Sequence, residues 1–426
     1  MTIYKRFITK RTNRNLSFRR RHGLGQNLTS NEQVALRKST RMLAALLVTE
    51  RLNPDSLDFE AWKTALLWRH FLLRYTDDVE LESAVNKRRT IESFGPSIKK
   101  DFRCEAGELY LLLKELKFPE DIVLDNGIVM TGEEVFLRGL YELVTGALQH
   151  TIADIFGRDF SAQSRAFNFF IDHVYDNHRH LVQNNLEWWY RNGFWEKSAK
   201  AIEERMRCRY PFDDTNSVSH FIDCNCLETS IPGGGPAENG ANAARWDPMI
   251  QRAFYNGWKS IHGMKHQTVD NAFGMTEDIC GPTSLRRNDL AVLRISDING
   301  RFQTLQAGHE RQYIIFGDSA YKRRSHITTY AKYQNMEREA VQWNKSMKHV
   351  RISIEWNYGF TGSLFRYIRY SDKFRLLKNG RVSKIYTVAT LFRNFHVALY
   401  GSQSSNYFNL EMPRDMLVNY IRGTDF

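Results

Sequence analysis

Two runs of apolar residues, each associated with an aspartate, constrain the fold of this chain more than any other feature. One run extends from Tyr313 to Phe316 and is closed by Gly317 and Asp318, and the other, from His220 to Leu227, contains Asp223. Continuous apolar runs of this length, bounded by turn residues, are typical of strands buried on both faces of a sheet. Helical spacing returns after these strands, so the sequence predicts an α/β core, with α+β as the alternative.

The spacing of apolar residues around Glu355 fits both a strand and a helix. Alternate residues from Val350 to Trp356 suit a strand, and residues three to four apart from Trp343 to Tyr358 suit a helix. We favour the helix, because the wider segment 337–367 keeps the helical spacing. In either case Glu355 is an acid among apolar neighbours, and Arg351 is its expected ion-pair partner.

Residues 131–183 carry the pattern of three consecutive helices. Thr131 is a suitable N-cap with Glu134 three positions later, and the helix it starts is expected to end at the next glycine. A second helix is predicted from Leu148 to Phe156, and Ser161 is a suitable cap for a third. This order is the helix-turn-helix arrangement, although plain structural modules share it. In a DNA-binding unit, the start of the third helix would contact base edges through Gln163, Ser164, Arg165 and Asn168.

Composition and the spacing of apolar residues divide the chain into four regions. They are a basic arm at 1–30, a mostly helical region at 31–130, a helix-turn-helix domain and linker at 131–200, and a strand-containing domain at 201–426 with an insertion near 231–255. The first 22 residues carry eight Lys and Arg and no acid. Such an arm suits a solvated tail, a nuclear address or a phosphate-binding arm, and a mitochondrial transit peptide is a further alternative.

The charge balance favours a polyanionic partner. Sixty Lys and Arg against 48 Asp and Glu give a net charge of +12, which suits nucleic acid, an anionic membrane surface or phosphorylated ligands. An integral membrane protein is not expected, because the longest apolar run, Met42 to Val48, is far shorter than the ~20 residues of a spanning helix. Five cysteines are too few, and odd in number, for a disulfide scaffold, so a reducing compartment is expected.

Three acids stand beside or within apolar segments, namely Asp223, Asp318 and Glu355. An ionised carboxylate beside a sheet core is unfavourable unless it is paired or bound to a metal. A single such acid is more often a turn residue or a helix cap, but three acids suit a two-metal phosphodiester site. Carboxylate oxygens suit Mg²⁺, and the ions would neutralise the repulsion between the acids. Three further acids are alternatives to a member of this set: Asp270, Asp278 and Asp297.

Four blocks of sequence carry a recognisable pattern. They are Phe221 to Asp223, Tyr255 to Gln267, Phe316 to Tyr321 and Arg351 to Gly359. Together, in this order, they resemble the PIF/Harbinger transposases, which are DDE-superfamily nucleases of cut-and-paste DNA transposons. The Gly-Asp-Ser-Ala-Tyr motif followed by Glu-Trp-x-x-Gly is the most specific part of the resemblance, which covers about residues 130–410 and includes the three-helix unit.

The resemblance implies a fold, a reaction and a set of site residues. It implies an RNase H-like core, a mixed sheet flanked by helices, in which Asp223, Asp318 and Glu355 are both the catalytic triad and the ligands of two Mg²⁺ or Mn²⁺ ions. The implied reaction is the cutting of phosphodiesters at transposon ends and their joining to target DNA. The expected partners are double-stranded DNA, further copies of this chain and a separate Myb-like DNA-binding protein, with the nucleus as the compartment.

Two features depart from the family pattern. Cys224-Asn225-Cys226 follows the first acid, where small residues are usual in the family. Asp223 and Asp318 are 95 positions apart (318 − 223), a longer spacing than the resemblance implies, which indicates an insertion between them. Both acids are nevertheless present, so the resemblance implies an active nuclease.

Polar residues near the expected acids are candidate contacts to the DNA backbone, although a solvated surface is the alternative for them. They are Lys259, Lys265, His266, Tyr321, Lys322 and Arg323. Two other functions stay open. One is a domesticated Harbinger-derived nuclear protein that binds DNA or protein without transposing, and the other is a structural nuclear protein whose basic surface is incidental.

Overall fold

The structure is a computed structural model that describes residues 89–125, 127–207, 216–232, 248–331, 338–376 and 381–426. Within these residues the strands form a small hairpin and a mixed six-stranded sheet. The hairpin consists of β1 (Asp121–Val123) and β2 (Val129–Thr131). The large sheet consists of β3 (Asn216–Glu228), β4 (Tyr255–Asn256), β5 (Ile261–Asn271), β6 (Thr276–Ser284), β7 (Gln312–Gly317) and β8 (Ile327–Thr328).

The large sheet combines parallel and antiparallel pairs. β3 lies at its centre, antiparallel to β5 on one side and parallel to β7 on the other. β8 pairs in parallel with β7, and both β4 and β6 pair antiparallel with β5. The predicted strands around Asp223 and before Asp318 are β3 and β7, respectively.

Helices precede the sheet, connect its strands and follow it. Those before β3 are α1 (Ile98–Phe102), α2 (Ala106–Glu115), α3 (Gly132–Thr145), α4 (Gln149–Phe156), α5 (Phe160–His178), α6 (His180–Gln183), α7 (Leu186–Arg191) and α8 (Phe194–Met206). Those after β3 are α9 (Pro248–Phe254), α10 (Asp289–Ser296), α11 (Ile298–Leu305), α12 (Arg338–Leu364), α13 (Val382–Tyr400), α14 (Gln403–Tyr407) and α15 (Met416–Arg422). Short 3-10 helices occupy Ile91–Ser97, Arg366–Arg369 and Ser371–Lys373.

Both faces of the sheet are covered by helices, as the continuous apolar runs predicted. On one face Phe221 and Phe316 belong to a core shared with α8 and α12, and the rings of Phe316 and Trp343 are 5.4 Å apart. On the other face Ile222 and Ile315 are buried in the core that includes α10 and α11. The prediction of an α/β core with a mixed sheet flanked by helices is thus confirmed. None of the described helices is long and apolar enough to span a bilayer.

The three helices predicted in 131–183 are present as α3, α4 and α5. Thr131 caps α3 by accepting a hydrogen bond from the Glu134 amide at 3.1 Å, and α3 and α4 end at glycines with φ of 60° and 68°. Such left-handed backbone favours glycine. The predicted cap of the third helix is wrong, because Asp159, not Ser161, accepts the amides of the first turn. The assignment of the unit as a helix-turn-helix stays a prediction.

The described part of the N-terminal region, predicted to be mostly helical, also contains strands. The arm at 1–30 and residues 31–88 lie outside the described residues. Helices do occupy most of 91–115, but β1 and β2 follow them as a hairpin that had not been predicted. The signal was present in the sequence, since Asn126-Gly127 between short apolar strands is typical of a tight hairpin turn.

The segment after α5 is part of the core and not the linker that its polar composition suggested. Trp188, Trp189 and Trp195, carried by α7 and α8, are all nearly or fully buried. α8 packs directly against β3, and the Trp195 indole donates a hydrogen bond to Glu277 at 2.8 Å. Mixed polar composition is what an amphipathic helix on a sheet requires, so composition alone could not distinguish this helix from a linker.

A buried ion-pair network holds α3, α4 and α5 together. Glu134 accepts hydrogen bonds from Arg138 at 3.0 Å and Arg158 at 2.6 Å, and Arg138 is fully buried. Arg138 also donates to the Phe156 carbonyl at 2.9 Å and to Gln163 at 3.1 Å. Burial lowers the pKa of Arg138 to about 10 despite the nearby Glu134 carboxylate. The unit therefore depends on this acid for charge compensation.

We predict that Glu134→Gln destabilises the protein by about 3 kcal/mol, because it leaves the buried Arg138 without its counter-ion. The free energy of urea unfolding measures the effect. Arg165→Ala is the control, since the Arg165–Asp125 pair is solvent-exposed at 3.8 Å and its loss should cost less than about 1 kcal/mol. Equal effects of the two substitutions would contradict the assigned role of Glu134.

Candidate active site

The two aspartates lie side by side because of the register between β3 and β7. In this parallel pair Ile222 is opposite Gly317. Asp223 and Asp318 are the next residues along the two strands. Neighbouring strands are about 4.8 Å apart, which brings the two carboxylates close together. Side chains alternate along a strand, so Asp223 shares the α12-facing side of the sheet with Phe221.

α12 brings Glu355 to the same side of the sheet. The helix buries a stripe spaced at four, three and four residues, consisting of Trp343, Met347, Val350 and Ile354. Arg351 and Glu355 each follow a member of this stripe, so both stand at its edge. Glu355 therefore lies on a helix, as the wider pattern predicted, and not on a strand.

Arg351 connects the helix acid to the sheet. Its guanidinium donates to the Asp223 carboxylate at 3.2 Å and to the Glu355 carboxylate at 2.7 Å. The expected pairing of Arg351 with Glu355 is therefore confirmed, and the link to Asp223 had not been predicted. This one side chain therefore joins Asp223, which lies 128 positions before it in the sequence, to Glu355, which lies 4 positions after it.

Backbone amides orient both aspartates. The Cys224 amide donates to Asp223 Oδ1 at 2.8 Å, and the Ala320 amide donates to Asp318 Oδ1 at 2.8 Å. The Asp223 side chain is 20% exposed and that of Glu355 is 53% exposed. The site is thus closed on the sheet side and open to solvent on the helix side, as a site for a large substrate requires.

Burial sets the protonation of Asp223. It raises the pKa of this carboxyl to about 6, although the Cys224 amide and Arg351 act in the opposite direction. The charges of Asp318 and Asp289 raise the pKa further. A carboxyl in this state accepts a positive charge readily, because a nearby cation removes the repulsion that favours the proton.

The donor atoms of the site suit a hard divalent cation. Carboxylate oxygens are the ligands that Mg²⁺ and Mn²⁺ prefer, and the guanidinium of Arg351 already holds a positive charge between two of the acids. In the described part of the chain, no three His, Cys, Asp or Glu side chains stand close enough to share a metal ion. The acids fit such a cation in chemistry, and binding would require them to draw closer together.

The alternative acids have other roles. Asp270 is buried and accepts hydrogen bonds from Thr276 at 2.6 Å and Asn357 at 2.8 Å. Asp278 is buried and paired with Arg301 at 2.7 Å, and its burial raises its pKa to about 7. Asp297 is exposed at the junction of α10 and α11. Asp270 and Asp278 are thus engaged in structural contacts, and Asp223, Asp318 and Glu355 are the better candidates.

Four of the residues expected to contact DNA are buried. Gln163 is fully buried and bonded to Arg138 and Glu142. Lys265 is 7% exposed and donates to Asp289 at 2.7 Å. His266 is fully buried, and burial lowers its pKa to about 3. Tyr321 is 2% exposed. We correct the expectation for these four residues, because none of them presents a polar atom to a ligand in this structure.

The other expected DNA contacts remain accessible. Lys259, Lys322 and Arg323 are exposed, and the last two directly follow the turn after Asp318. In the three-helix unit, Ser164 is exposed, while Arg165 and Asn168 are partly exposed. Accessibility allows contact with DNA, and the contacts themselves stay predictions.

Several residues near the acids had not been singled out as site residues. Asp289, at the start of α10, is close enough to raise the pKa of Asp223. The hydroxyl of Tyr358, a partly buried side chain of α12, is hydrogen-bonded to Thr268 at 2.9 Å and lies near the Asp223 charge. Tyr358 follows Glu355 at helical spacing, which could have indicated its position. No local pattern marks Asp289, because the folded sheet, and not the neighbouring sequence, brings it near Asp223.

The comparison with protein families matches part of the chain. Residues 242–394 match the model of a family described as DDE superfamily endonuclease. The match includes Asp318, Arg351 and Glu355 and begins after Asp223. It supports a DDE-type transposase family for this region, and hence nuclease or transposase activity. Comparisons with curated proteins and with solved structures gave no significant match.

We predict that Asp223→Asn changes the pH dependence of stability. The ordinary pKa of this carboxyl is 3.8 and its value in the folded protein is about 6. The folded protein therefore holds the proton to higher pH than the unfolded chain, and stability is lost as pH rises from about 4 to about 6. Asparagine removes this loss, so the variant should gain about 2–3 kcal/mol relative to the wild type between pH 4 and pH 7.

Urea unfolding at pH 4 to 8 in the presence of a chelator measures this difference. Asp154→Asn, which changes an exposed acid on α4, is the control and should leave the curve parallel to that of the wild type. Parallel curves for Asp223→Asn as well would show that the carboxyl does not retain its proton on folding.

Proposed function

We propose that this protein is a PIF/Harbinger-type transposase that cuts and joins DNA phosphodiesters with divalent cations held by Asp223, Asp318 and Glu355. The observation that carries the proposal is the register of β3 with β7, which sets two aspartates side by side, with Glu355 joined to one of them, Asp223, through Arg351. The match of residues 242–394 to DDE superfamily endonucleases supports the same conclusion. An RNase H-like core is the corresponding proposal for the sheet.

Each of the three acids has a distinct role in the proposed reaction. Asp223 and Asp318 hold fixed orientations, because the amides of Cys224 and Ala320 each occupy one of their oxygens. Glu355 approaches from the helix and completes the ligand set. When bound, two Mg²⁺ or Mn²⁺ ions would stabilise negative charge on the attacking and leaving oxygens of a phosphodiester. Glu355 is 53% exposed, so a DNA substrate would approach the acids from the side of this helix.

Charged surfaces beside the acids would bind the DNA backbone. Lys322 and Arg323 follow Asp318 by four and five positions, and Lys259 stands in the turn between β4 and β5. Ser164, Arg165 and Asn168, at the start of α5, are the proposed contacts of the helix-turn-helix unit. A nuclear location, assembly of several copies on DNA and a Myb-like partner protein belong to the same proposal.

The alternative is a domesticated protein that binds DNA or protein without cutting. The absence of any three metal-ligating side chains within reach of one ion, in the part of the chain that the structure describes, favours this alternative. All three acids of the proposed triad are nevertheless retained, and a cation that draws them together would form the site. A cleavage assay separates the two functions.

We predict that Asp318→Asn lowers the Mg²⁺-dependent nicking of supercoiled DNA by about 100-fold or more, since it removes one ligand charge. Asparagine keeps the oxygen that accepts the Ala320 amide, so the turn should survive. Asp154→Asn is the matched control, because it makes the same chemical change at an exposed site on α4. Cleavage that is equal in all three proteins would contradict the triad, and binding without any cleavage would favour the domesticated alternative.

We also predict that Lys322→Ala and Lys259→Ala each weaken binding to duplex DNA and lower the slope of log affinity against log salt by about 1. Fluorescence anisotropy between 50 and 200 mM salt would measure both quantities. Lys200→Ala is the control, since Lys200 is paired with Glu196 on α8 at 2.7 Å. A salt slope that is unchanged in the first two variants would remove these lysines from the DNA path.

A further inference from the structure

Arg351 fills the space between two of the proposed ligands. Its Nη1 donates to Asp223 Oδ2 at 3.2 Å, and its Nη2 donates to Glu355 Oε1 at 2.7 Å. A guanidinium is planar and always charged, so one rigid group satisfies both carboxylates at once. The acids of the site therefore already hold a cation that belongs to the chain itself.

Asp223 has no carboxylate oxygen left without a partner. Oδ1 accepts the Cys224 amide at 2.8 Å and Oδ2 accepts Arg351 at 3.2 Å. A divalent ion bound to Oδ2 at about 2 Å would lie next to the guanidinium, and the two positive charges would repel strongly at that distance. Cation binding by Asp223 therefore requires Arg351 to leave this contact.

The position of Arg351 permits such a movement. Its side chain is 19% exposed, and it stands one helical turn before Glu355, on the solvent-accessible edge of α12. A change of side-chain rotamer would carry the guanidinium outward while the helix stays in place. The released charge would remain at the mouth of the site, where a DNA phosphate is expected to approach.

We propose that Arg351 is a positioning residue that holds Asp223 and Glu355 in the cation-free protein and competes with the divalent cation for both of them. The inference rests on the proposed function, because it takes these acids as the cation ligands. It adds that the cation site is weak in the free protein and strengthens when a polyanion draws Arg351 away. Binding of cation and binding of DNA then increase each other's affinity.

The experiment measures Mn²⁺ binding to the full-length protein by electron paramagnetic resonance of the free ion, without DNA. Arg351→Gln should bind Mn²⁺ about tenfold more tightly than the wild type, because the competitor is gone. Lys348→Gln is the matched control: it removes one exposed charge three positions earlier on α12 and should change the affinity by less than about twofold. An affinity for Arg351→Gln that equals or falls below that of the wild type would overturn the proposal.

A second variant and a second ligand complete the test. Arg351→Lys keeps the charge but cannot bridge two carboxylates with a planar fork, so it should also bind Mn²⁺ more tightly than the wild type. It replaces Arg351→Gln if that variant fails to fold. Duplex DNA should raise Mn²⁺ affinity in the wild type and much less in Arg351→Gln. Equal enhancement in both proteins would overturn the coupling.

The outcomes distinguish this inference from the proposed function. Unchanged Mn²⁺ affinity in the Arg351 variants, together with cleavage that depends on Asp318, would overturn the competition and leave the nuclease intact. Cleavage that does not depend on Asp318 would overturn the proposed function itself, and the inference with it.

Discussion

The parallel pairing of β3 with β7 is the constraint on which the candidate site depends. Its register sets Ile222 opposite Gly317, and the residue that follows each of them is an aspartate. Two carboxylates at neighbouring positions of a covered sheet repel each other, and burial strengthens the repulsion because little water screens it. Burial is the main cause of the raised pKa of Asp223, and the charge of Asp318 raises it further. An arrangement that lowers stability and breaks the pattern of an apolar core indicates a functional requirement.

Two buried acids of the described chain, Glu134 and Asp278, differ from Asp223 in their charge balance. Glu134 has two arginines as partners, and Asp278 has Arg301 to itself at 2.7 Å. At the candidate site one cation, Arg351, serves two acids, and Asp318, which has no ion-pair partner among the described residues, is close by. The site therefore carries less positive charge per acid than these two buried ion pairs. This deficit is what a bound divalent cation would correct.

The sequence predicts the sheet better than it predicts the surroundings of the site. Strands buried on both faces leave a continuous apolar run, so β3 and β7, with the acids beside them, could be located in advance. The 3–4 spacing similarly identified the helix of Glu355. Burial of polar residues could not be predicted in this way, since Lys265 and His266 lie in a strand that α10 and α13 cover. Their partners come from distant parts of the chain, and a local pattern does not contain them.

Glu355 differs from the two aspartates because a helix carries it. Asp223 and Asp318 move with the sheet, whereas Arg351 and Glu355 move together with α12. The position of that helix is set by the apolar stripe that packs on the sheet, in which Trp343 contacts Phe316. A tightly packed core allows only small shifts of such a helix. The distance between the acids is therefore controlled by apolar packing, and side-chain rotation of Arg351 and Glu355 is the movement left to bring the ligands together around a cation.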